Sequence, residues 1–128
     1  MAASTRFVTV LIPLPLTYNP DARGRRRPIE TRKFDQTMRE IAEHFGGGVL
    51  WRFPNDPPNG FWWNKGHLSR DILAAIEVDI ADTAEARTWI ESFARTVLLQ
   101  RFRQDAIYLK FVGPIETIVV TAQKTDDD

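Results

Sequence analysis

The strongest constraint on the fold of this chain is an alternation of side chains that passes directly into a helical pattern. Apolar side chains recur at every second position, at Ile72, Ala74, Ile76, Val78 and Ile80. Successive side chains of a strand point to opposite faces, so this set lies on one face. A helix start follows at residues 82–85, and apolar residues then recur at helical spacing as far as residue 102. The pattern predicts a strand and an amphipathic helix that share one core.

Further elements follow from the same kind of reading. Residues 31–45 have helical spacing and end at three glycines, which commonly terminate a helix. Alternating or β-branched runs predict the strands. Prolines at 13 and 15 each remove a hydrogen-bond donor, so the second half of the first strand is either at an edge or outside the sheet. The strands and arms predicted in this way are residues 6–16, 48–54, 61–63, 106–112 and 115–121, with a turn at 55–60 that makes a hairpin of 48–54 and 61–63.

The order strand, helix, strand, hairpin, strand, helix, strand is typical of an α+β, ferredoxin-like βαββαβ sandwich. We therefore expect one antiparallel sheet with both helices on one face, an inserted hairpin and a possible extra C-terminal strand. Residues 1–128 would form a single domain, since a chain of this length can bury roughly two-thirds of its unfolded surface. The Arg- and turn-rich segment 17–30 is expected to be flexible, and the polar tail 123–128 disordered.

Such a sheet leaves one face without helices. The side chains that would point there are too apolar to remain in water over a whole sheet, which predicts a homodimer packed sheet to sheet or through its edges. The side chains in question include Leu11, Leu73, Ala75, Tyr108 and Val112.

Composition excludes several classes of protein. The chain has no Cys, which excludes a disulfide scaffold, a Cys-ligated metal centre and thiol catalysis. Seventeen Lys and Arg balance seventeen Asp and Glu, and this balance argues against a dedicated nucleic-acid or membrane-surface binder. The chain shows neither a secretory signal nor an apolar run of transmembrane length, so a cytoplasmic location is expected.

Residues 60–71 contain the densest group of candidate binding residues. Two adjacent tryptophans in an extended segment cannot both enter one core, so Trp62 or Trp63 should be exposed or line a cleft. With Lys65 and Arg70 they could form a pocket for a flat or anionic small molecule or a protein ligand. Alternatively, the tryptophans plug one end of the sandwich, while Arg70 and Asp71 pin a loop by hydrogen bonds.

An enzyme is the alternative to a non-catalytic binding domain. His67 or Asp71 would then act as acid or base in a dimeric, α/β-barrel-like protein that encloses a small hydrophobic or anionic substrate. No serine stands in a nucleophile motif. With His44 as the only other histidine, the sequence predicts neither a metal site nor a cofactor.

A third possibility concerns the concentrated positive charge of Arg23, Arg25, Arg26 and Arg27. These arginines could contact RNA or DNA. The aromatic strings that RNA-binding domains place on central strands are absent, because 108–111 reads Tyr-Leu-Lys-Phe. A solvated loop is therefore favoured over a nucleic-acid site.

Two strings carry a resemblance to a known family. They are Gly60-Phe61-Trp62 with Gly66-His67-Leu68-Ser69-Arg70-Asp71, and Arg101-Phe102-Arg103-Gln104 before the last strand. Over residues 33–118 the chain resembles a family of small bacterial proteins known only as a domain of unknown function. The resemblance implies a bacterial protein with the ferredoxin-like fold, and the family has no activity to carry over. The Arg-rich loop and the 55–59 turn depart from its pattern.

Overall fold

The computed structural model describes residues 5–122. Within this range the chain forms two helices and five strands, and the second helix is built of three consecutive parts. The elements are β1 (Phe7–Pro15), α1 (Thr31–Phe45), β2 (Val49–Trp51), β3 (Asn59–Asn64), β4 (His67–Ala81), α2 (Ala84–Phe93) with its π-helical continuation (Ala94–Leu98) and last turn α3 (Leu99–Arg101), and β5 (Lys110–Ile115).

The five strands form one antiparallel sheet in the order β2-β4-β1-β5, with β3 paired to the first half of β4. β4 is a central strand of this sheet, because its second half pairs with β1 on one side and with β2 on the other. The molecule is thus α+β, and the order of the other four strands is consistent with a ferredoxin-like fold. β3 lies outside that order.

Both helices cover the same face of the sheet. The register pairs Val8 with Ile80, Val10 with Val78 and Ile12 with Ile76, so the even-numbered side chains of β1 and β4 lie on one face. These side chains share a single buried cluster with apolar residues of both helices, as the sequence pattern predicts. The helical members of the cluster are Phe34, Ile41, Ile90, Phe93, Ala94 and Leu98, and Phe102 joins them directly after the last turn.

Pro13 and Pro15 of β1 lie at positions where no neighbouring strand of the described chain accepts a backbone hydrogen bond from β1. The Leu16 amide donates to the Ile72 carbonyl (2.9 Å), so the even-numbered residues direct their N–H groups at β4. The nitrogens of Pro13 and Pro15 therefore face the other side, where pairing with β5 has already ended at Leu11. The prediction of an edge in the second half of β1 is confirmed for this side.

The predicted hairpin between segments 48–54 and 61–63 is wrong. β3 pairs instead with β4, through the two-residue turn Lys65-Gly66. Both turn residues have positive φ (50° and 83°), as in the type I′ turn whose twist matches that of the flanking strands. β4 consequently begins at His67, five residues before the predicted strand.

The C-terminal strands also differ from the prediction. β5 begins at Lys110 and continues through Gly113-Pro114 to Ile115, whereas the sequence pattern predicts a strand over 106–112 and an interruption at 113. No strand is assigned between residues 116 and 122, so the expected extra strand is absent from the described chain. The tail 123–128 lies outside the described residues.

The face of the sheet without helices, called here the open face, carries the odd-numbered side chains of β1 and β4. Val112 and Lys110 pair with Thr9 and Leu11 and so join this face. Exposed apolar side chains are scattered over it, and its cover by a second copy stays a prediction. The exposed apolar residues of this face include Phe7, Val49, Trp51 and Val112.

Candidate functional site

A groove of about 500 Å³ lies on the open face, where β3 and the first half of β4 extend past β1. Pro13, Pro15 and Leu73 contribute apolar surface to it. Trp62 and Tyr108 add aromatic rings. The volume is within the range of small-molecule sites, which combine apolar surface with a few polar groups.

Trp62 is held in the groove by two contacts. Its indole Nε1 donates a hydrogen bond to Oδ2 of Asp71 (2.8 Å). Its ring stacks on Tyr108, with centroids 4.7 Å apart and planes within 6°. Aromatic pairs of this kind stabilise by about 0.5–1.5 kcal/mol beyond the area they bury. The stack joins β3 to the segment before β5 across the prolines of β1.

The two tryptophans point to opposite faces of β3. Trp62 pairs with Ser69 and is partly buried, whereas Trp63 pairs with Leu68 and is 75% exposed at the border of the groove. The expectation that the pair could not be buried together is confirmed. The absence of a side chain at Gly60 leaves room for Leu73 and Trp62, because a Cβ there would come within 2.8 Å of the Leu73 side chain.

Asp71 fixes the Arg-rich loop to the sheet. Its Oδ1 accepts from Nη1 of Arg26 (2.9 Å), while its Oδ2 accepts from Trp62. The interpretation that Asp71 pins a loop is therefore supported by the contacts, but Arg70 has no part in this. Arg70 is the next residue on β4, points to the other face and lies over the ring of Phe61 at 5.3 Å.

The remaining predicted site residues lie at the end of the hairpin. Lys65 occupies the β3–β4 turn, and His67 begins β4 opposite Asn64. His67 and Lys65 are exposed, and neither lines the groove. The structure thus brings Trp62 and Asp71 together, and it places Lys65, His67 and Arg70 elsewhere.

The loop that contains the four arginines is organised by Asp21. Oδ1 of Asp21 accepts from the backbone amides of Arg23 (2.8 Å) and Arg25 (2.9 Å). The loop is closed by a backbone hydrogen bond from Tyr18 to Arg27. All four arginines are exposed. The flexibility expected of segment 17–30 stays a prediction.

Cations surround the ring of Tyr18 at the base of this loop. Arg27, Lys33 and Arg103 lie 5.0–5.5 Å from the ring centroid. Lys33 Nζ donates to the Tyr18 hydroxyl (2.6 Å), which in turn hydrogen-bonds Glu30. The hydroxyl contact, the backbone amide and Lys33 lower the pKa of Glu30 from 4.5 to about 2, so this carboxylate is charged at neutral pH.

A second groove, of about 490 Å³, lies beside the π-helical segment. π-helical turns occur often at functional sites. The charged residues on its helical wall, Glu91 and Arg95, pair with each other at 3.2 Å. The groove has one aromatic wall residue, Phe111, and Arg87 covers that ring at 4.4 Å. We therefore place the candidate site on the open face.

Several groove residues were not among the predicted ligand contacts. Tyr108 was assigned to the uncovered face by its alternation, and Arg26 to a possible nucleic-acid patch. Neither pattern shows that Tyr108 stacks on Trp62 or that Arg26 pairs with Asp71. Asn19 and Gln104, which also line the groove, carry no local signal at all.

Among residues 5–122, no group of three or more His, Asp or Glu side chains is placed to hold a metal ion. Over the same range, no helix is both long enough and apolar enough to cross a membrane. Bacterial origin and cytoplasmic location stay predictions.

Comparison of the sequence with protein-family models and with curated proteins yields no match. The resemblance to a bacterial family therefore also stays a prediction.

Proposed function

We propose that the protein is a small, non-catalytic binding domain of ferredoxin-like architecture whose open-face groove takes a flat organic molecule without negative charge. The observation that supports this proposal is the Trp62–Tyr108 stack at the edge of a 500 Å³ groove with mixed apolar and polar walls. Tyr108 is 53% exposed, so part of the stack remains available to a ligand. Flat ligands gain both buried area and stacking on such rings.

The charge of the groove favours neutral or cationic ligands over anions. Its charged side chains are Arg26, Asp71 and Asp105, which sum to −1. The guanidinium of Arg26 already pairs with Asp71. Arg70, the residue expected to hold an anion, lies on the other side of β4. A cation above Tyr108 would gain from the ring and from the nearby carboxylates.

The enzyme alternative depends on Asp71, which reaches the groove. Both of its oxygens already accept hydrogen bonds, from Arg26 and from Trp62. This arrangement stabilises the carboxylate as a positioning group for Trp62. Holding Trp62 and the loop gives Asp71 a role that needs no proton transfer, which supports the binding domain over the enzyme.

The test uses three flat probes of different charge: proflavine, acridone and 1-anilinonaphthalene-8-sulfonate. Proflavine and acridone should raise the melting temperature, with about 1.4 kcal/mol of stabilisation at ten times Kd. The sulfonate should bind more weakly than both. Tyr108→Ala should abolish the shifts, while Trp51→Ala, at an exposed open-face position outside the groove, should preserve them. Shifts that persist in Tyr108→Ala would refute the proposed site.

A further inference from the structure

We propose that the helix-side face of the β3–β4 hairpin, together with the Arg-rich loop, binds single-stranded nucleic acid. This surface is formed by Phe61, Trp63, Leu68 and Arg70, which point away from Trp62 and Asp71. It meets the groove at Trp63, which also borders the groove. The inference goes beyond the proposed function and does not depend on it.

Aromatic rings on this face are accessible for stacking. Phe61 and Trp63 are 54% and 75% exposed, and they lie two residues apart on one strand. Their spacing is about 6.8 Å, or twice the ~3.4 Å rise per nucleotide of a strand. Trp63 can therefore receive one base, and Phe61, over which Arg70 lies, can receive another on its exposed part. Stacking of bases on aromatic side chains tolerates any sequence.

Positive charge accompanies these rings. Arg70 lies over Phe61 and so holds its guanidinium on the same face. A depression of about 250 Å³ lies between the hairpin and the Arg-rich loop. Arg70 borders it together with Arg26 and Asp71, which pair with each other. Phosphates that follow the bases would thus lie between the hairpin and the loop arginines.

The zero net charge of the whole chain conceals this distribution. Segments 17–28 and 59–72 together carry six Lys and Arg against two Asp, a net charge of +4, which leaves −4 on the rest of the chain. The two carboxylates are Asp21, which binds backbone amides, and Asp71, which pairs with Arg26 on the open face. The balance that argues against a nucleic-acid binder is therefore an average over two unlike parts.

The distribution of polar and apolar residues on the hairpin favours binding of single-stranded nucleic acid over binding to a lipid surface. Its end is formed by Lys65, Gly66 and His67, and burial of these polar residues in hydrocarbon is unfavourable. The apolar residues lie instead along one flat side of the hairpin. Paired bases in a duplex cannot stack on exposed rings, so duplex binding should be weaker.

The experiment measures fluorescence anisotropy of labelled oligonucleotides of about 12 nucleotides, a length within the usual site size. Oligo(dT), oligo(U) and a DNA duplex are titrated with the full chain at 50 mM and 200 mM NaCl. If the protein neutralises four phosphates, single-strand affinity should fall about 50-fold between the two salt concentrations. The duplex should bind at least several-fold more weakly than either single strand.

Matched variants locate the surface. Trp63→Ala and Phe61→Ala should each weaken single-strand binding about fivefold or more. Trp51→Ala removes an exposed tryptophan from the open face and should change affinity less than twofold. Arg70→Gln should lower the slope of log K against log salt by about 0.7, whereas Arg95→Gln on α2's π-helical continuation should leave it unchanged. Circular dichroism melts establish that each variant is folded.

Several outcomes would overturn the inference. They are the lack of a complex at 50 mM NaCl, equal affinity for the duplex, and equal loss of affinity in Trp63→Ala and Trp51→Ala. Binding to anionic phosphatidylglycerol vesicles without binding to oligonucleotides would also overturn it, in favour of a lipid surface. Tyr108→Ala separates the two proposals, because it should remove flat probes from the groove while oligonucleotide binding persists.

Discussion

The carboxylate of Asp71 links Trp62 to the Arg-rich loop: one oxygen accepts from the indole and the other from Arg26. Asp71→Asn should lower the free energy of unfolding by about 1–2 kcal/mol, because a charged acceptor is lost from both hydrogen bonds and the ion pair is partly exposed. Urea denaturation measures this change. Arg26→Gln should account for less than half of it, and an equal effect would show that the indole contact contributes nothing.

Acid should destabilise the protein through Glu30 and Glu40. Hydrogen bonding to Tyr18 lowers the pKa of Glu30 from 4.5 to about 2, and Arg101 lowers the pKa of Glu40. A depressed pKa in the folded state gives stability that is present above about pH 4.5 and is lost as the pH falls toward 2. Urea midpoints should therefore fall over this window. An equally steep fall in the double variant Glu30→Gln/Glu40→Gln would contradict the assignment.

Arg101 should matter more than an exposed arginine with a similar partner. Its guanidinium donates to both oxygens of Glu40 (2.8 and 2.9 Å) and to Thr37, and the two charged side chains are 14% and 32% exposed. Arg101→Met should cost about 2 kcal/mol of unfolding free energy, because it removes the donor to the buried Thr37 hydroxyl and to the partly buried Glu40 carboxylate.

The matched control for that substitution is Arg95→Met, which breaks the pair of Arg95 with Glu91, whose side chains are 68% and 61% exposed. This change should cost no more than about 0.5 kcal/mol. Denaturation in urea compares the two variants, and equal losses would show that burial of the Arg101 pair adds nothing.

Gly60 should tolerate no side chain without a change in the groove. A Cβ at this position would lie 2.8 Å from Leu73 Cδ1 and 3.1 Å from Trp62 Cζ2. Gly60→Ala should therefore cost about 1–2 kcal/mol of stability and shift the fluorescence of Trp62. Gly47→Ala, where a Cβ would meet nothing within 4 Å, serves as the control. An unchanged melting temperature in Gly60→Ala would mean that the two neighbours move freely.

The open face should mediate self-association. Trp51 and Val112 are exposed on it, and their burial by a second copy would remove apolar surface from water. Sedimentation equilibrium at micromolar concentration should give twice the monomer mass of 14.7 kDa. Trp51→Glu should return the monomer, while Lys110→Glu, a polar position on the same face, should have a smaller effect. A wild-type protein that sediments as a monomer would rule this interface out.

Much of the secondary structure follows from local patterns. The bounds of α1 agree with the prediction at both ends, because its apolar spacing and the glycine at its C-terminus are local properties. β1 and the core positions of β4 also agree, since a period of two identifies the buried side chains. The predicted pairing of segment 61–63 with 48–54 was wrong, because β3 pairs with β4. Lys65-Gly66 is a less typical turn than the Asn- and Pro-rich segment 55–60, so the turn signal favoured the wrong hairpin.

The candidate site was predictable only in part. Trp62 was identified because adjacent aromatics in a strand cannot share one core, but its neighbours come from distant parts of the chain. Arg26 and Asp71 are 45 residues apart, and Tyr108 follows Trp62 by 46. A period or a turn motif describes residues within a few positions of each other. It cannot show which distant side chains meet.

The sequence alone therefore determined which side chains of β1, β4 and the helices face the core, since alternation and helical spacing follow from backbone geometry. The buried Tyr18 and Ile29 of segment 17–30 carry no such pattern. It also determined where positive charge and aromatic residues are concentrated along the chain. Only the tertiary structure decided that Trp62 stacks on Tyr108 while Trp63 stays exposed on the other face of β3, and that Asp71 pairs with Arg26 and not with Arg70. The reason is that pairing in a sheet brings together residues far apart in the chain, and the choice among possible partners depends on the packing of the whole molecule.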